Sequence, residues 1–416
     1  MRARRAVSER NIARAELHSI PSDWRILTLG DIATTQYGLT AASGSDGETA
    51  IVGMKDVVDG YVRFDDLPLV LVGEEERGKY ELQEYDILFN RTNSPALVGK
   101  TGIVDQEPPL PAVFASYLVR VRVDAAKAEP TYLNHFMNSR SSRRQLWGLA
   151  TLGVSQANIN PSELRSRLLV PLPSIKEQQR IAGILCTWDR AIRKVEHLMG
   201  LKTELRRALA QRLLTGAWRF PGFSRTWEGC RLGDVFVERK ETGGNTNELL
   251  ALTANRGVIP RDEVERRDSS SSDKSNYKRV RPGDIVYNTM RMWQGVSALS
   301  RLEGIVSPAY TVCVPDERLD PVFVSYLFKL PRLVDLFRRH SQGLVDDTLT
   351  LRFTHFAQLS VVIPEVPEQR RIAAALDTLS REIQLLEVEL DLLKNQKRGL
   401  AQKLLAGEVR VPVGGE

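Results

Sequence analysis

The chain has 416 residues, 42% hydrophobic and 26% charged, with a formal charge of +6 and a pI near 9.2, enough for roughly two to four domains with ordinary cores. No run approaches the roughly 18 apolar residues of a membrane span and no apolar signal core follows Met1, so a cytoplasmic protein is expected. Three scattered cysteines without C-x-x-C pairing argue against zinc or disulfide frameworks, and the basic excess favours an acidic partner.

Residues 1–20 are rich in arginine but carry Glu9 and Glu16, and are expected to be a solvated tail. From Trp24 the chain breaks into short apolar, β-branched and aromatic runs bounded by Gly, Pro, Asn and Asp, which predict strands. Trp24 to Ile32 and Tyr85-Asp-Ile-Leu-Phe-Asn90 are two of them. Between them, Arg77-Gly-Lys79-Tyr80 offers phosphate or base contacts. Asn90, Arg91, Thr92 and Asn93 then mix side chains able to read base edges, Arg on guanine and Asn on adenine, with Lys100 nearby. A solvated turn accounts for any single one of these residues at least as well. The stretch Ser94 to Thr101 ends like a phosphate-binding loop, yet Ser94 stands where its first glycine belongs, so a hairpin or recognition loop is expected. Tyr132 to Asn138 predicts a helix.

A long helix follows over residues 173–220. Ser174 and Glu177 form a capping-box pattern behind Pro171 and Pro173, and Gly216 is placed as a C-cap. Its apolar residues Ile181, Leu185, Trp188, Ile192, Val195 and Met199 continue through Lys202 and Arg206 to Leu209 and Leu213, on alternating steps of four and three. That spacing is a coiled-coil seam. The segment 173–220 carries ten basic and four acidic side chains, most of the chain's surplus.

The second half repeats the first. Trp227 to Val235 corresponds to Trp24 to Ile32, Gly283-Asp-Ile-Val-Tyr-Asn288 to the run ending at Asn90, and Pro321 to Phe328 to Pro130 to Met137. Candidate DNA-contacting side chains are Lys274, Asn276, Lys278 and Arg279, then Asn288, Arg291 and Gln294. Val322 to Arg339 predicts a helix. Glu368-Gln-Arg-Arg-Ile-Ala373 matches Glu177-Gln-Gln-Arg-Ile-Ala182 at an offset of 191 residues, without a gap to Leu400–Gly407. The second seam runs Ile372, Leu376, Leu379, Ile383, Leu386, Leu390 and Leu393, interrupted at Lys397 and resumed at Leu400 and Leu404. Each helix spans about 39 residues, roughly 58 Å. Two seams in two halves predict that the helices pack on each other, antiparallel if the halves are related by a pseudo-two-fold axis; each helix packing on its own domain is the plainer alternative. The fold class is α+β: two mixed domains, residues 21–172 and 221–363, alternating with helices at 173–220 and 364–410, and a tail at 411–416.

Catalytic signals are absent: no Ser/His/Asp or Cys/His arrangement repeats, no G-x-G-x-x-G follows a strand, and the E-x-K of Glu238-Arg-Lys240 lacks its Pro-Asp partner. At the paired Pro-x-x-x-Glu-Gln-x-x-Ile segments and their long helices, the chain resembles the specificity subunit of type I restriction-modification systems over nearly its whole length. The resemblance implies two target recognition domains each reading half of a bipartite DNA site, and paired helices that set the spacing and dock methyltransferase subunits. It implies no catalysis and no cofactor here: S-adenosylmethionine, ATP and magnesium belong to partner subunits, two for modification and, in a complete system, others for restriction. The Gly-Asp-Ile-Val run at 283–286 fits the family's pattern, whereas Glu84-Tyr-Asp-Ile at 84–87 departs from it by lacking the glycine, leaving the local turn open. A stand-alone bipartite DNA-binding protein is the main rival, and a coiled-coil adaptor a third reading.

Overall fold

The computed structural model describes residues 20–40, 47–153, 156–243, 248–254, 256–264 and 273–412. The expected N-terminal tail therefore lies almost wholly outside the described residues, as does most of the C-terminal one. The chain divides into two compact units, residues 1–194 with 390–416, and residues 195–389. Both cuts fall inside long helices, Ile175–Leu213 and Val366–Leu405, so each unit holds the first half of one helix and the second half of the other.

In the first unit, a six-stranded sheet runs in the order 33–37, 118–123, 87–90, 101–103, 61–62, 57–58. Alternate residues of a strand face opposite sides, and here both sides are covered. Ile87, Phe89, Val119 and Val121 join a core with Tyr132 and Phe136 of the helix Pro130–Met137, while Leu88 and Leu118 join another with Val52 and Phe114. Burial on both faces is why these strands read as continuous apolar runs rather than as alternation. The strand Arg25–Thr28 pairs antiparallel with Leu169–Leu172. The second unit orders its sheet 236–238, 310–315, 285–288, 297–299 and pairs Glu228–Arg231 with Ser360–Ile363. It splits Ile285 and Tyr287 from Val286 between two cores in the same way.

The Glu-Gln signature is a structural lock, built alike in both units. Gln178 accepts the backbone N–H of Glu129, the cap of the helix Pro130–Met137, and donates to the Pro173 carbonyl at 2.8 Å. Gln369 accepts from Asp320, the cap of Pro321–Leu327, and donates to Pro364 at 2.8 Å. The buried Glu177 carboxylate takes a bidentate pair from Arg410, at 2.8 and 2.9 Å. Glu368 takes one from Arg219, at 2.8 and 2.7 Å, and the indole N–H of Trp227. Arg410 and Arg219 each stand three residues beyond a helix-closing glycine, Gly407 or Gly216, both in left-handed backbone. The expected capping box is therefore half realised. Ser174 accepts the N–H of Glu177 at 3.3 Å, but the Glu177 carboxylate answers the arginine instead of the helix start.

Two further expectations need correction. The helix expected over Val322 to Arg339 is two, Pro321–Leu327 and Pro331–His340, because Pro331 opens a new helix where a continuous one would lose a hydrogen bond. The turn left open at Tyr85 takes the same backbone form as the one at Gly283, with φ of 69° against 98°. Tyr85 accepts left-handed geometry, at a steric cost glycine escapes. Asp86 and Asp284 then receive bidentate arginines from non-equivalent places, Arg122 of the strand 118–123 at 2.7 Å and Arg239 just past the strand 236–238 at 2.8 Å.

All thirteen named seam residues are buried or half-buried, whereas Leu198, Leu201, Leu205, Leu385, Val388 and Leu392 beside them are exposed. The polar interruptions find partners on the other helix. In the second unit Lys202 meets Glu382 at 2.7 Å and Arg206 meets Ser380 at 3.3 Å. In the first, Lys397 meets Asp189, which also accepts from Tyr61 at 3.1 Å and lies 3.9 Å from His135. Burial and the Lys397 charge push the His135 imidazole down to about 4, against the pull of Asp189.

Candidate nucleic-acid interface

In the first unit the segment after Asn90 leaves the sheet as a short strand, Thr92–Asn93, paired with Ala157–Asn158. Arg91 lies 5.1 Å over the Tyr37 ring and donates to the Ser116 carbonyl. Asn93 accepts from the Ser94 N–H at 2.7 Å, and Lys100 is half-buried at the end of the loop. Asn90 requires a correction: its side chain is fully buried, so it faces the interior and not a groove, and neither amide atom has a protein partner among the described residues. Strand alternation aims it inward. The 94–101 stretch is a turn leading into a strand, not into a helix, and the Thr101 hydroxyl is held by Asn134 and Asn138, which removes the phosphate-loop reading. Arg77 and Lys79 sit on the helix Glu74–Tyr80, with Lys79 exposed and its ammonium 5.5 Å from the Tyr80 ring.

In the second unit Asn288 accepts from the Met290 N–H, and the turn Met292–Gln294 presents exposed Arg291 and Gln294. Two features that sequence reasoning missed complete this surface. Trp293 lies under Arg338, 5.8 Å from guanidinium to ring, and the loop 343–346 displays Leu344 and Val345. An exposed loop in an apolar dipeptide was a legible signal; the Arg–Trp stack, joining residues 45 apart, was not. Beneath the turn, Lys329 donates to the Gly295 and Ser297 carbonyls at 2.7 Å each, and burial lowers its ammonium to about 8. Lys274 lies 4.9 Å from the Tyr277 ring and Asn276 is exposed. Lys278 and Arg279 are engaged within the fold, Lys278 with Glu238 at 3.2 Å and Arg279 with Glu241 and Glu303 at 2.9 and 2.7 Å. Glu303 and Glu241 hold the Arg279 guanidinium above its ordinary value. Any phosphate contact from this pair has to displace those carboxylates.

Each unit thus offers cationic and amide side chains beside an aromatic ring after a doubly buried strand, Arg91 and Asn93 with Tyr37 in the first, Arg291 and Gln294 with Trp293 in the second. Residues 21–203 match the family described as the type I restriction modification DNA specificity domain. Over nearly its whole length the chain is similar to type I restriction enzyme specificity subunits. It is 23% identical to a protein of Methanocaldococcus jannaschii assigned as the MjaX type I restriction enzyme specificity subunit, over 97% of each chain. It is also 25% identical to the EcoKI specificity subunit of Escherichia coli over 41% of this chain and 38% of that one. The crystal structure of the type I S subunit from M. genitalium has the same fold, with a TM-score of 0.60 at 15% identity, over 92% of this chain and 96% of the other. Among the described residues, no group of three His, Cys, Asp or Glu side chains could hold a metal ion and no helix is long and apolar enough to cross a membrane.

Proposed function

We propose that each unit reads one half of a bipartite DNA site, the first through Arg91, Asn93 and Lys100 with Arg77 and Lys79, the Thr92 hydroxyl being buried like Asn90, the second through Asn288, Arg291 and Gln294 with Lys274 and Asn276. The observation that carries this reading is the contrast between framework and surface. Both units repeat the Glu-Gln lock, the order of four sheet strands and the helix caps, yet the segments that follow the equivalent Asn90 and Asn288 differ in the order of their side chains and in local structure, a short strand in one and a turn in the other. Modules that hold alike and read differently have that form.

On the same reading the two long helices pair antiparallel as a coiled coil in a pseudo-two-fold internal repeat. Within the second unit the pairs Lys202–Glu382 and Arg206–Ser380 support the antiparallel sense, since one residue number rises as its partner's falls. Helices of roughly 58 Å can hold two readers one turn of DNA apart, about 34–36 Å. Partner methyltransferase subunits, two per chain, dock on this spacer and bring S-adenosylmethionine to adenine N6; restriction subunits, where present, bring ATP and magnesium. Exchange of residues 21–172 for those of a relative tests the reading. Mapping of N6-methyladenine in the host is expected to show one half of a split motif changed and the other kept. An unchanged motif, or a change in both halves, would refute the assignment of one half-site to each unit.

A further inference from the structure

Leu344 is the most exposed of the large apolar residues described, with a relative exposure of 101%. Val345 beside it is 61% exposed. Displaying both on water is unfavourable by the usual area rule, and the loop is not left to find cover. Gln342 and Thr350 exchange backbone hydrogen bonds of 2.8 Å at its base, and Thr348 binds both the N–H and the carbonyl of Val345. Arg338 ties Asp346 at 3.0 Å while lying over the Trp293 ring, and the Leu351 N–H donates to the Thr289 carbonyl at 2.8 Å. The loop is therefore pinned to the segment 288–294 from two sides, with half-exposed Met290 on the same segment. The segment to which the loop is tied carries Arg291 and Gln294, the side chains assigned above to base reading.

We propose that Leu344 is an apolar wedge that enters the base stack at the half-site read by the second unit. Apolar side chains inserted between base steps unstack them and bend the duplex, and they are found beside cationic and amide contacts of the kind present here. This proposal rests on the DNA-reading assignment of the second unit.

The test uses the chain assembled with its methyltransferase partners, and duplexes with 2-aminopurine placed in turn at steps of the second half-site away from the methylated adenine. The Leu344 side chain touches nothing that holds the fold, so Leu344→Ala is expected to fold normally. Wild type is expected to raise 2-aminopurine fluorescence at one step. Leu344→Ala is expected to abolish that rise and weaken binding about tenfold, with Leu344→Met retaining most of both. Site-specific binding with the same affinity and fluorescence in Leu344→Ala would overturn the wedge alone. Weaker binding with unchanged fluorescence would also overturn it, in favour of a groove contact such as a thymine methyl. Absence of site-specific binding by wild type would instead sink the underlying assignment.

Discussion

The buried His135 gives the first unit a calculable acid sensitivity. Its imidazole lies 3.9 Å from Asp189 and 3.7 Å from the Cys186 sulfur, with Lys397 and Tyr61 also meeting Asp189. Burial, then the Lys397 charge, hold it at about 4 in the folded chain against about 6.5 when free. The unfolded chain thus binds the proton more readily between those values, so stability is full above pH 6.5 and falls as the pH drops toward 4. The gap is worth about 3 kcal/mol when fully crossed. His135→Gln removes the titrating group, and urea unfolding from pH 7.5 to 4.5 measures the result. The wild type is expected to lose about 2–3 kcal/mol more than the variant over this range. Lys397→Met should shrink the difference, because it removes a repulsion and leaves Asp189 to attract the imidazolium. Parallel pH curves for wild type and His135→Gln would refute the placement of a neutral, buried imidazole there.

Two other perturbations probe the second unit. Arg219→Ala strands the buried Glu368 carboxylate with the Trp227 N–H as its remaining side-chain partner, and is expected to lower the urea midpoint followed by tryptophan fluorescence. The paired change Arg219→Met with Glu368→Leu should recover most of that loss, since removing both charges leaves nothing unpaired; equal losses from the single and double variants would contradict the lock. Lys329→Met removes two hydrogen bonds to the reading turn and a desolvated ammonium whose value sits near 8. Wild-type stability should therefore rise relative to the variant between pH 8 and 9.5, as the folded chain sheds the proton first, and a constant difference in urea midpoint across that range would count against the burial of this amine.

The long helices were legible because their cause is local. A four-three apolar spacing specifies a buried stripe whatever it packs against, and every named seam residue lies in one. The role of Glu177 and Glu368 was not legible, since their arginines stand 233 and 149 residues away in sequence. Asn90 misled for a different reason: composition marks it as a base reader, but strand alternation fixes which way it points, and its register depends on pairing with residues 118–121. Lys278 and Arg279 misled because their carboxylates come from separate strands and loops, at Glu238, Glu241 and Glu303. Pro331 is the one signal present and underused, as a proline inside a helical pattern marks a boundary.

The basic surplus on 173–220 can now be divided. Arg193, Lys202, Arg206 and Arg219 are engaged by Asp105, Glu382, Ser380 and Glu368. Lys176, Arg180, Arg190, Lys194, Arg207 and Arg212 are all exposed. The seam itself does not explain the imbalance, because its ion pairs run in both senses, with the base on the central helix at Lys202 and on the C-terminal helix at Lys397. At the offset of 191, exposed Lys194 corresponds to exposed Leu385, and exposed His197 to exposed Val388. Other exposed positions of the repeat are kept, Arg180, Arg190 and Arg207 corresponding to exposed Arg371, Arg381 and Arg398. Exposed cations and exposed apolar groups stand on both helices, and the outer faces differ in their acids, Glu204 on the central helix against Glu387, Glu389 and Asp391 on the C-terminal one.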